Sequence, residues 1–176
     1  MNGVYSSMII TNSNYFVTSI KYTRIFVHQL LIYQYMKLKE VILFQIEKTS
    51  KAARKYSQAA FDDKKIDITV DQWVLLKVIE ENEGASQKEI AEYAVKDGAS
   101  VTRILDLLEK KQLVMREPIQ NNRRQYAIHL SEKGRIFIDA HIDLISQHRA
   151  KSLDGFAQSE IDQLHSFLIR IQQNMR

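Results

Sequence analysis

The chain contains no cysteine, one proline and five glycines in 176 residues. The first absence excludes disulfides, thiolate metal sites and a thiol redox switch, and is compatible with a reducing cytoplasm, where the chain is expected to reside. Scarcity of the two helix breakers implies a mostly helical chain with few long loops. Also missing are a G-x-S-x-G elbow, a P-loop, a G-x-G-x-x-G turn and any cysteine nucleophile. Scattered Ser, His and Asp give catalysis no positive support, so the chain reads as a non-enzyme without a cofactor. Metal-ligand spacing is lacking as well. His141 and His148 share a predicted helix face with Asp139 and Asp143 nearby, and His165 lies on the next helix, but no two histidines fall at i, i+4. These read as solvated or interface histidines, with no metal.

An apolar content of 45% is enough for a core, and the length fits one domain or a small domain with extensions. Residues 1–35 carry Lys21 and Arg24 and no acid. A signal peptide has a basic region before its apolar core, whereas here the first basic residue is Lys21. The best candidate for a span, Ile25 to Met36, is short of the roughly 20 residues a membrane needs and contains His28, Gln29 and Gln34. The segment is read as neither signal nor anchor, but as an N-terminal extension, with Met36 as the candidate native initiator.

The most informative stretch runs from Ser86 to Gly134. Ser86 followed three residues later by Glu89 is a capping box, so a helix begins near Gln87, with Ile90, Ala91 and Ala94 on its apolar face. It is expected to stop around Val95, where Lys96-Asp97-Gly98 supplies a turn and a new N-cap at Asp97. In the next helix Val101, Ile104, Leu105 and Leu108 form one stripe at helical period, which turns Ala99, Thr102, Arg103 and Asp106 outward. That outward face is small and polar at its N-terminal end, which suits a major groove, where Arg103 can reach guanine edges or phosphate.

After Lys110-Lys111 the period changes from 3.6 to 2, with strand candidates Leu113–Arg116 and Gln125–Leu130. Between them Glu117 to Arg124 is rich in turn formers and ends in paired arginines. Two helices, a turn and a charged hairpin in succession make a winged helix-turn-helix. Charge location agrees. Residues 36–85 and 131–176 are balanced, whereas 110–124 holds Lys110, Lys111, Arg116, Arg123 and Arg124 against Glu117 alone. Such a tip can bind phosphates or enter a minor groove.

These residues resemble the MarR-type bacterial transcriptional regulators. The matching elements are Ile68-Thr69-Val70-Asp71-Gln72-Trp73, Ser86-Gln87-Lys88-Glu89-Ile90-Ala91, Ser100 to Glu109, and Leu130-Ser131-Glu132-Lys133-Gly134, together covering about residues 36–176. The family often carries an Asp-x-Arg signature at the wing, where this chain has Asn122 and Arg124; an Asn can hydrogen-bond an arginine but forms no ion pair. Gln112 stands where the family often has glycine. Members that sense oxidants through cysteine are no guide to a chain that has none.

The expected architecture is therefore mainly α with a small β-wing. Residues 63–130 would form the DNA-binding lobe, and 36–62 and 131–176 the N- and C-terminal dimerisation helices. Among the latter, a long helix is expected from Leu38 to Phe61, one capped by Ser131 reaching about Ser152, and one capped by Ser159 that carries Ile161, Leu164, Phe167, Leu168 and Ile171. Their apolar faces would be exposed in a monomer, and a second copy is the simplest cover. The resemblance implies a homodimeric repressor on an inverted-repeat operator in double-stranded DNA, with half-sites roughly 34 Å apart. The expected DNA-contacting residues are Ser86, Lys96, Ala99, Ser100, Thr102, Arg103, Asp106, Asn122, Arg123 and Arg124. The family also implies a crevice for small aromatic or phenolic effectors, which by region would fall at Tyr56, Phe61 and Trp73. A competing reading is a winged-helix module for protein–protein assembly or nonspecific DNA binding. The arginines favour the regulator, because a protein-binding wing would more often be apolar.

Overall fold

The computed structural model describes residues 37–119 and 122–176. Residues 1–36, on which the expectations of an extension and of an initiator at Met36 fall, lie outside the described residues, as do Gln120, Asn121 and the side chains of Asn122, Arg123 and Arg124.

Two compact units meet between Lys51 and Ala52. In the first, Leu38–Glu40 form one 3-10 turn, which Glu40 closes by accepting a hydrogen bond from the Lys37 backbone at 3.2 Å. Val41 is then extended, with φ −73° and ψ 117°, and the helix α1, Ile42–Asp63, starts only after it. A continuous helix from Leu38 is thus corrected: an extended residue cannot carry the i→i−4 ladder.

In the second unit α2 spans Val70–Glu81, α3 Gln87–Tyr93 and α4 Gly98–Lys110, followed by strands β1, Val114–Ile119, and β2, Asn122–Leu130, and by helices α5, Glu132–Lys151, and α6, Gln158–Asn174. Thr69 caps α2 by accepting from Gln72 N at 3.2 Å, while the Gln72 amide oxygen accepts from Thr69 N at 3.0 Å. That reciprocal box explains how Gln72 tolerates being 5% exposed in an otherwise apolar interior.

The core is built from one face of each element: Trp73, Leu75, Leu76 and Ile79 of α2, Ile90 of α3, Val101, Leu105 and Leu108 of α4, Ile128 and Leu130 of β2, and Ile138 and Ile145 of α5. Burying each large aliphatic contributes about 1.5–3 kcal/mol. β1 pairs antiparallel with β2 from Val114 opposite Leu130 to Pro118 opposite Tyr126, with an irregularity between Pro118 and Ile119. The strands are longer than their composition suggests. Glu117, Pro118 and Ile119, expected in the turn, are paired, because cross-strand bonding outweighs turn propensity and Pro118 sits where the ladder ends. On its other side β2 bonds the α2–α3 link, through Gly84 N to Ile128 O and Ile128 N to Ala85 O, both at 3.0 Å.

Three chain reversals end in the same way. Lys65, Val95 and Gln112 have φ of 54°, 51° and 61°, and each closes a helix with paired bonds back to the last turn. For Gln112 these run from Gln112 N to Glu109 O at 2.8 Å and from Leu113 N to Leu108 O at 2.9 Å. This is the C-terminal motif that usually takes glycine. Gln112 therefore adopts a left-handed geometry that ordinarily favours glycine. The last helix begins two residues earlier than a Ser159 cap would place it. Its N-cap is Ala157, whose N–H is taken at 2.8 Å by Glu160. No residue of α6 is buried.

Candidate nucleic-acid interface

The two short helices are fixed at their starts. Ser86 Oγ accepts from Glu89 N at 3.3 Å, and the Glu89 carboxylate accepts from Ser86 N at 2.8 Å and Ser86 Oγ at 2.7 Å. These side-chain and backbone bonds from Ser86 hold the Glu89 carboxyl below its ordinary range. Asp97 caps α4, accepting from Ser100 Oγ at 2.6 Å and Ser100 N at 2.8 Å, bonds that depress its carboxyl likewise. The helices are also tied to each other. Gln87 Nε2 donates to Thr102 Oγ1 at 2.7 Å, and that hydroxyl donates to Gly98 O at 2.8 Å.

These bonds sort the sequence-predicted residues. Ala99 and Arg103 are exposed on α4, and Arg103 makes no ion pair among the described residues. Ser86 is half-buried at the mouth of a groove of about 640 Å³, which Gln87, Lys88, Lys96, Gly98, Thr102, Gln125 and Tyr126 also line. The hydroxyls of Ser100 and Thr102 serve the cap and the α3–α4 tie. Lys96 is only 16% exposed at its side chain and binds Asp71 Oδ1 at 2.9 Å. Asp106, on the outward face as expected, accepts from Arg116 at 2.7 Å, and Glu109 takes the other guanidinium nitrogen. Arg116 is thus neutralised by α4, and Lys111 by Asp67 at 2.5 Å. Neither is part of a free positive surface. Asn122, Arg123 and Arg124 begin β2, their side chains lying outside the described residues.

Sequence reasoning missed Gln87, Lys88, Gln125 and Tyr126. Lys88 carried a readable signal, exposed in the first turn after the Ser86 cap; Tyr126 did not, because only the β1–β2 register turns it toward α3. Phe61 and Trp73, expected at a crevice, are buried in edge-to-face contact with ring centroids 6.4 Å apart. They line a cavity of about 40 Å³ with Val70, Leu144, Ile145 and His148. Tyr56 instead stacks on His148 at 3.9 Å. Trp73 Nε1 is buried without a hydrogen-bond partner among the described residues. Among the described residues no group of three or more His, Asp or Glu is placed to hold a metal ion. No described helix is long and apolar enough to cross a membrane.

The MarR family model matches residues 68–126, the span from the α2 cap into the wing. The transcriptional regulator SlyA is 27% identical, with a TM-score of 0.66 over 76% of this chain and 93% of that one. The chain carries a MarR-family domain. It is a transcriptional regulator of the DNA-binding, winged-helix kind. A Listeria innocua Clip11262 protein of unknown function is 32% identical to this MarR protein, with a TM-score of 0.58 over 77% of this chain and 93% of that one. The transcriptional repressor CouR, solved on a 23-mer DNA duplex, shares the fold at 21% identity, with a TM-score of 0.69 over 78% and 98% of the two chains.

Proposed function

We propose that this MarR protein is a sequence-specific repressor that binds an inverted-repeat operator as a homodimer and is released by a small aromatic or phenolic ligand. The observation that carries the reading is the outward face of α4. A helix capped by Asp97 and tied to α3 through Gln87 and Thr102 presents small Ala99 beside Arg103, which makes no ion pair among the described residues. A small residue lets the backbone approach base edges, and an arginine without a carboxylate partner is free to make the bidentate contact to guanine. Lys88 at the start of α3 supplies a phosphate contact, and Arg123 and Arg124 in the wing supply others. CouR, of the same fold and bound to DNA, supports this use of the architecture.

Dimerisation is supported by the apolar residues that α6 leaves uncovered, Leu164, Phe167 and Ile169 at 46%, 43% and 39% exposure. Effector release is supported by the cavity beside Trp73, whose N–H has no acceptor among the described residues. At about 40 Å³ the cavity is small against the roughly 150 Å³ that holds benzene, so a ligand must part α5 from α1 and α2 to enter. That motion would weaken DNA affinity by the same factor by which DNA weakens the ligand.

Selection of bound sequences from a random duplex pool, with affinity followed against salt, tests the DNA reading. An enriched inverted repeat supports it. Weak, steeply salt-dependent and sequence-blind binding moves the protein to a nonspecific DNA or assembly module. The effector reading is tested by titrating hydroxybenzoates while following the fluorescence of Trp73, the chain's one tryptophan. A saturable change supports it, and a flat response across the series ends it.

A further inference from the structure

Asp71 is the second residue of α2, and its Oδ1 receives cations from two other elements. Arg54 of α1 binds it from one side, and Lys96, in the turn between α3 and α4, binds it at 2.9 Å from the other. Burial pushes the Asp71 carboxyl up, but the hydrogen bonds and charges of Lys96 and Arg54 outweigh it and hold the group below the usual carboxylate range. One turn along α1, Gln58 accepts from Val70 N at 3.0 Å, so α1 is stitched to the first turn of α2 at two adjacent residues. Lys96 is anchored at its other end too, with its N–H donating to Ala91 O at 3.0 Å. The side chain with the least exposure of the three, Lys96, therefore links the end of α3 to the start of α2.

We propose that Asp71 is a positioning residue for DNA binding: its carboxylate joins α1 to the turn that sets α4, and Lys96 acts as the strut of that joint rather than as a phosphate contact. The inference rests on the DNA-binding reading and adds to it a route by which displacement of α1 reaches the reading helix. Val70, next to Asp71, and Trp73, two residues on, line the cavity described above, so whatever parts the cavity walls also moves the joint.

Two measurements on the full chain test this, with Arg54→Met, Arg54→Lys, Lys96→Met and the double variant Arg54→Met/Lys96→Met. The first is the affinity for a selected duplex at several salt concentrations. Because Arg54 and Asp71 are about half exposed, losing that pair alone is expected to weaken binding about two- to fivefold. Lys96→Met is expected to weaken it at least as much, the double variant no more than the worse single, and Arg54→Lys to restore most of the loss, all at the parental salt slope. The second needs no DNA: amide exchange in residues 94–98 should speed in both Arg54→Met and Lys96→Met. A salt slope lowered by about one in Lys96→Met, with Arg54→Met at parental affinity, makes Lys96 a phosphate contact and overturns the proposal. Additive losses, or unchanged exchange at 94–98 in Arg54→Met, overturn it as well. If the parent selects no sequence, the DNA reading fails, and the exchange experiment still decides the joint.

Discussion

Gly134 lies so close to Leu113 that a Cβ on it would fall 2.1 Å from the Leu113 carbonyl oxygen. That oxygen also accepts from Ser131 N at 3.1 Å, and Ser131 Oγ donates to Gln112 O at 2.6 Å, so the first turn of α5 is seated on the entry to β1. On an open helix, glycine to alanine gains about 1 kcal/mol. Here the contact is with backbone, which cannot rotate away, and the sign reverses. Gly134→Ala is expected to lose about 3 kcal/mol, lowering Tm by roughly 6–12 °C in scanning calorimetry. An unchanged or raised Tm would show that α5 is not seated on Leu113.

The reversal at Val95 carries strain of the opposite kind. A β-branched residue at φ 51° is disfavoured by contact between its branched side chain and the backbone, and at 91% exposure Val95 has no packing to compensate. Val95→Gly is expected to stabilise by about 1 kcal/mol, the relief of strain exceeding the added entropy of the unfolded chain. Urea unfolding reads the gain directly. A loss would mean that the exposed isopropyl group makes a contact worth more than the strain.

Acid should weaken this fold from several places at once. The carboxyls of Asp71, Asp97 and Glu89 are all held below their ordinary range, by Lys96 and Arg54 against the cost of burial in the first and by Ser100 and Ser86 bonds in the others. A folded pKa below the unfolded one means stability that is present above about pH 5 and is lost as the pH falls through about 4 and below. Denaturant midpoints measured from pH 7 to pH 3 are expected to fall mainly below pH 5. Asp97→Asn, which keeps a capping oxygen but loses the charge, should fall less steeply; an identical acid limb would remove Asp97 from this account.

How far the fold could be read from the sequence follows the range of the interactions involved. The starts of α3, α4 and α5 were legible because Ser86, Asp97 and Ser131 each bond a backbone N–H three residues away. The start of α6 was not, because Ala157 offers no side-chain oxygen and Glu160 alone closes the cap, leaving Ser159 as a misleading signal. The stripe of α4 was readable from its period. The wing's charge was not, since Arg116 is neutralised by Asp106 and Glu109, and Lys111 by Asp67, 44 residues away in the chain. The same limit applies to Lys96, expected among the DNA-contacting residues, whose ion-pair partner Asp71 lies on another helix. Local chemistry sets where elements begin, while tertiary pairing decides which charges remain free.

Arg103 remains free among the described residues, and the account rests on it most heavily. The most direct test is selection from a random duplex pool by the parent and by Arg103→Ala in parallel. The parent should enrich an inverted repeat with half-sites about one helical turn apart. Arg103→Ala should enrich the same repeat with preference lost at one position in each half and affinity lowered by about 1–3 kcal/mol at the parental optimum. Identical motifs and affinities from the two proteins would contradict the assignment of α4 as the reading surface.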